Sequence, residues 1–118
     1  MDRRMIKQEY KQTPRPKGVV AIRNLVNGKI LVLSSPNLDG GINRHRFQLE
    51  QGMHPNRQLQ KDWNEYGAES FSFEILEELK LKEDPSHDYR EDLEALEAKW
   101  LEHLQPYGER GYNKPPKA

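Results

Sequence analysis

GVVAIRNLVNGKILVLSS, residues 18–35, decides how this chain is read. Gly18 to Asn24 and Lys29 to Ser34 are rich in Val, Ile and Leu, side chains that suit a half-buried pleated surface. Between them stands Asn27-Gly28, a pair whose residues both tolerate the positive φ of a hairpin turn. The stretch predicts two antiparallel strands joined by a turn.

Outward from the hairpin the pattern changes. Residues 1–17 are polar and end in TPRPK, where Pro excludes helix and strand interiors; they read as a short helix or tail followed by a linker. After the hairpin, Leu38, Ile42 and Leu49 recur at helical spacing until Gly52 closes the segment. His54-Pro55 is expected to open a second helix, with Leu59, Trp63 and Tyr66 on one face and Gly67 as its stop. FSFEIL, Phe71 to Leu76, predicts a third strand. A charged connection leads to a last helix with Leu93, Leu96, Trp100 and Leu104 on one stripe. The Gly- and Pro-containing tail is expected to cap the fold irregularly and to fray near Lys117. The order β-β-α-α-β-α predicts an α+β fold, a small antiparallel three-stranded sheet flanked by helices. The domain should span residues 18–113, with 1–17 a polar N-terminal segment and 114–118 a tail.

Composition bounds the function. A chain of 118 residues supports one modest core, and with 34% hydrophobic and 32% charged residues that core should be small. Lys+Arg and Asp+Glu both number 19, so no global positive field points to nucleic acid. The first half is nonetheless the more basic, with Arg23, Lys29, Arg44, Arg46 and Arg57 in the hairpin and first helices. The absence of cysteine excludes disulfides, zinc–thiolate sites and thiol nucleophiles. No apolar run approaches the ~20 residues that span a bilayer, and MDRRMIKQEYK lacks the apolar core of a signal peptide. The expectation is a cytoplasmic protein with no membrane partner.

Several local strings then align in order. Gly18-Val19-Val20 and Leu31-Val32-Leu33 lie on successive strands with ten residues between them. NRH at 43–45, GMH at 52–54, LQKDWNEYG at 59–67, FSFEILEEL at 71–79 and GYN at 111–113 follow. From about Gly18 to Asn113 the chain resembles the GIY-YIG endonuclease family, as a degenerate member. The resemblance implies that Gly18 and Val20 stand at the first motif, Leu31 and Leu33 at the second, and Gly41 where the family carries an arginine on the first helix. Both motif tyrosines and the arginine are missing. Arg44 and Arg46 point roughly 100° to either side of His45 on a helix and do not replace it.

What the resemblance retains is Glu97, matching the glutamate that binds one divalent cation (Mg²⁺ or another), and Asn113, matching a polar residue near that metal. His45 and His54 match histidines of some members, and His45 and Glu97 are the candidate catalytic residues. Taken without the resemblance, the two histidines read as structural or solvent-facing, His54 as a helix cap, Glu97 as the edge of a solvated face, and Trp63 and Trp100 as core. Losing a general base costs on the order of 10²–10⁴-fold and losing a charge-stabilising donor on the order of 10²–10³-fold. Together that is about 6 kcal/mol of transition-state stabilisation. Three readings follow: a retired nuclease that still binds DNA or other nucleic acid through Arg23, Lys29, Arg44, Arg46 and Arg57; a protein-interaction or structural module; and an active metal-dependent endonuclease with a relocated base.

Overall fold

The first and second strands of the hairpin, β1 (Gly18–Asn24) and β2 (Ile30–Ser35), pair antiparallel, and β3 (Phe71–Glu78) pairs antiparallel on the far side of β1. The computed structural model describes residues 15–116. The strand order β2-β1-β3 makes β1 central, which is why Val19, Val20, Ala21 and Ile22 are all sealed from solvent. Three helices follow the predicted order: α1 (Leu38–Glu50), α2 (Arg57–Tyr66) and α3 (Arg90–Leu104). The predicted α+β architecture holds, with the second strand shifted one residue along and the third starting at Phe71 as expected but running two residues further. The readings of residues 1–14 and of Lys117 lie outside the described residues.

The hairpin turn is looser than Asn27-Gly28 implied. Asn24 N–H donates to Lys29 O at 2.8 Å, leaving a four-residue loop, and Gly28 N–H closes it on Asn24 O at 2.8 Å. Only Gly28 takes a positive φ, +80°. Asn27 contributes its side chain instead, Oδ1 accepting from Lys29 N–H at 2.9 Å.

Alternation along the strands sends side chains to two faces. On one, Ile22, Leu31 and Phe71 pack with Leu49 of α1 and Leu59 and Trp63 of α2. On the other, Val19, Ile30 and Val32 pack under Leu96, Trp100, Leu101 and Leu104 of α3. The sheet is thus a partition with α1 and α2 on one side and α3 on the other. Trp100 is only partly buried and donates Nε1–H to Glu77 at 2.9 Å.

Two helix expectations need correction. Pro55 does not open α2: Asn56 caps it, Oδ1 accepting from Leu59 N–H at 3.0 Å. Tyr66 is 38% exposed, and the buried face of α2 is Leu59, Gln60 and Trp63. In α1 the buried stripe is Leu38, His45 and Leu49, so a histidine occupies the core-facing position that the pattern gave to Ile42. Gly52 ends α1 as expected, at φ +74°.

Gly18 is held by its neighbour. A Cβ there would collide with the carbonyl oxygen of Glu77, where a bulge shifts the β1–β3 register between Val19 and Val20.

Candidate functional site

A cleft of about 640 Å³ opens on the α1–α2 side of the sheet. Leu31 and Leu33 of β2, His45 of α1, His54 and Tyr112 line it, with Arg57 and Lys114 contributing two exposed cations. His45 and His54, nine residues apart, are brought ring to ring: His45 Nδ1 lies 2.9 Å from His54 Nε2. Both rings are buried. His54 Nδ1 accepts from Asn56 N–H at 3.0 Å, and Gln60 Oε1 accepts from His54 N–H at 3.0 Å. Gln60 in turn donates to Leu49 O at 2.9 Å, tying the end of α1 to α2. His54 therefore does not cap α2 itself; it holds the backbone of the residue that does.

Burial, then the neighbouring His45 ring, lowers the His54 pKa to about 4. Burial, then the charge of Arg44, lowers that of His45 as well. Both rings are consequently neutral near pH 7. Tyr112 is anchored beside them: its hydroxyl donates to Asp62 Oδ2 at 2.7 Å and accepts from Asn24 Nδ2 at 3.1 Å. Burial, then the bond to Asp62, raises its pKa, so this phenol does not supply a base.

Glu97 lies elsewhere. On α3 it accepts from Ser34 Oγ at 3.0 Å, and Ser34 faces the α3 side of the sheet while Leu33, its neighbour, faces the cleft. His45 and Glu97, the two candidate catalytic residues, are not brought together. Asn113 is fully engaged with β2: Oδ1 accepts from Val32 N–H at 2.8 Å and Nδ2 donates to Val32 O at 2.7 Å. Among the described residues no three His, Cys, Asp or Glu side chains gather in metal-binding geometry. One carboxylate bound to a hydroxyl falls well short of the six oxygens Mg²⁺ requires, so these residues do not by themselves fit a resident cation.

The fold has known counterparts. The chain superposes on the solved catalytic domain of the homing endonuclease I-TevI with a TM-score of 0.69 and 28% identity, covering 85% of this chain and 99% of that one. It also matches a mutant of that catalytic domain, at a TM-score of 0.68 and 28% identity over 83% of this chain and 92% of the other. A curated relative, intron-associated endonuclease 1 of Enterobacteria phage T4, is 34% identical over 67 residues. That match covers 57% of this chain but only 27% of the relative's length. No protein-family model matches the chain.

The chain is a GIY-YIG-like domain.

In this GIY-YIG-like domain the two positions that the resemblance assigns to the motif tyrosines carry apolar side chains: Val20 is 2% exposed and Leu31 8% exposed. Neither carries an exchangeable proton. Gly41, where the family resemblance places an arginine, packs on Ser35. A Cβ at Gly41 would collide with Ser35 Oγ, itself held between Asn37 O at 2.7 Å and Asn37 N–H at 3.2 Å. The position that the resemblance assigns to the first-helix arginine is thus shaped for a glycine.

The basic residues divide. Arg23 leaves the set, because its guanidinium pairs with Glu74 at 2.7 Å on the α3 side of the sheet. Arg46 stacks over Phe73, 4.6 Å from the ring centre, and Lys29 lies 5.9 Å from the Tyr112 ring centre. Arg44 is exposed beside His45, and Arg57 lines the cleft. None of these pairs with Asp39, Glu50 or Asp62 among the described residues. Sequence reasoning missed Lys114 and the wall formed by Tyr112; the signal was the run of GYN into Lys114.

Proposed function

We propose that the domain binds nucleic acid through the α1–α2 side of its sheet and has lost efficient phosphodiester cleavage. The observation that carries the loss is the filling of both tyrosine positions by buried Val20 and Leu31, together with the closing of the arginine position by Ser35 against Gly41. Hydrolysis needs a water-activating group and charge stabilisation on the phosphoryl oxygens. Neither His45, whose neighbour is His54, nor Glu97, on the opposite face, sits where it would restore both.

Binding is supported by Arg44, Arg57 and Lys114, exposed cations with no ion pair among the described residues. Such contacts give affinity that is independent of sequence and falls steeply with salt, the logarithmic slope changing by about 0.9 for each phosphate neutralised. The relatives' names identify endonucleases, which fits a polynucleotide as the ligand. The reading as a protein-docking groove has less support, because Val20 is sealed in the core and Leu31, at 8% exposed, offers little surface to a partner.

The test is a divalent-cation-dependent cleavage assay on duplex, branched and single-stranded substrates, beside fluorescence anisotropy of the same substrates across a salt series. Binding with a steep salt slope, weakened in an Arg57→Ala Lys114→Ala variant and unaccompanied by cleavage, is the expected result. Cleavage abolished by Glu97→Ala would overturn the loss of activity; absence of binding at low salt would overturn the binding.

A further inference from the structure

Resting on the nucleic-acid reading, we propose that His54 is a positioning residue that holds His45 in its Nε2–H tautomer. The cleft then offers a neutral hydrogen-bond donor to a non-bridging phosphate oxygen, and no base to a water.

A backbone amide fixes the direction of the whole chain of bonds. Asn56 N–H can only donate, so His54 Nδ1, 3.0 Å away, must be the unprotonated nitrogen of that ring. In the neutral ring the proton is then on Nε2, which faces His45 Nδ1 at 2.9 Å and donates to it. His45 Nδ1 is thereby the acceptor, and the His45 proton resides on Nε2. Reversing the chain would set two N–H groups against each other at Asn56 and leave a backbone donor without a partner, a preference of about tenfold or more for the direction described.

The outer nitrogen has the right surroundings. His45 Nε2 has no hydrogen-bond partner among the described residues, the ring's bond there being the one from Nδ1 to His54. His45 lines the cleft, beside Leu31 and Leu33, with Arg57 and Lys114 supplying positive charge. Burial, and then Arg44 on the adjacent position, disfavours an imidazolium, keeping the ring a donor without a charge of its own. The lone pair that a general base would need points inward to His54. Donation from a neutral ring to phosphate oxygen is a contact that positions the backbone of a nucleic acid and reads no base.

Two-bond ¹H–¹⁵N correlation spectra of histidine-labelled protein at pH 7.5 test this, first free and then with a short duplex DNA. The expected His45 pattern has Nε2 protonated and Nδ1 bare, and duplex moves the Nε2–H resonance without changing the tautomer. His54→Gln, whose amide can donate to His45 Nδ1 as His54 Nε2–H does, keeps the pattern and the affinity. His54→Leu gives a tautomer mixture and weakens duplex binding by about five- to tenfold. A protonated His45 Nδ1 in the wild type, an unchanged pattern in His54→Leu, or duplex binding that leaves His45 unmoved would each overturn the proposal while the binding reading stands. No duplex binding at low salt overturns that reading and, with it, the phosphate role.

Discussion

On the α1–α2 side of the sheet, two histidine rings lie buried against each other beneath a cleft, every inward nitrogen bonded. On the α3 side, Glu97 holds one hydroxyl, that of Ser34, from a half-buried helix face. The two sides are separated by the pleat of a single strand, since Leu33 and Ser34 are consecutive residues of β2 that face opposite ways. Residues that a linear motif strings together are thus sorted by the sheet into two environments. A buried polar pair demands a complete network and a fixed protonation state, whereas a carboxylate at a helix face with one partner demands little. Stability and electrostatics should therefore respond very differently to changes on the two sides.

The largest difference should come from the packing under the cleft. Leu59→Ala, at a fully buried position, should lower the unfolding free energy by about 3–5 kcal/mol in urea denaturation. Leu96→Ala, half-buried on the α3 side, should cost about half that or less. Equal costs would erase the contrast.

Acid should discriminate next. Above about pH 7.5 His54 is neutral in both folded and unfolded chains and contributes nothing. Between there and pH 4 the unfolded chain takes up a proton that the folded one refuses, so stability falls as pH falls. The difference between wild type and His54→Gln should reach about 2–3 kcal/mol near pH 4, read from paired denaturation curves, with His45 adding in the same direction in the wild type. A flat difference would break the case for a neutral pair.

Restoring the missing arginine should fail. Gly41→Arg should destabilise by about 1–3 kcal/mol through its clash with Ser35, and should yield no cleavage. Recovered activity would reopen the site. The smallest effect belongs to the other face: Glu97→Ala should cost less than about 1 kcal/mol and leave duplex affinity unchanged.

Element order was legible because the periodicities are strong and the punctuation is local. Gly18 to Asn24 read as a strand, and Gly28 and Gly52 take the positive φ that their positions implied. His45 and Glu97 fall on the helices expected of them, α1 and α3, whereas His54 lies ahead of α2 and does not open it. What the sequence hid was relational. A buried His45 breaks the apolar count of α1, because a histidine is apolar enough for a core only when a partner such as His54 satisfies it. The cap at Asn56 was masked by the stronger signal of Pro55. Arg23 looked like its basic neighbours until the β1–β3 register placed Glu74 on the same face. Lys114 becomes part of the cleft only because Tyr112 and Asn113 bring the tail back across β2.

That return has a consequence of its own. β2 is an outermost strand, and its open backbone would recruit any extended segment that met it. Tyr112 N–H donates to Ile30 O at 2.8 Å, and the Asn113 amide satisfies both polar groups of Val32 as a neighbouring peptide would. The last turn of the chain thus acts as a stopper against strand addition, and cutting the chain after Pro106 should leave a domain that keeps its helices but self-associates edge to edge.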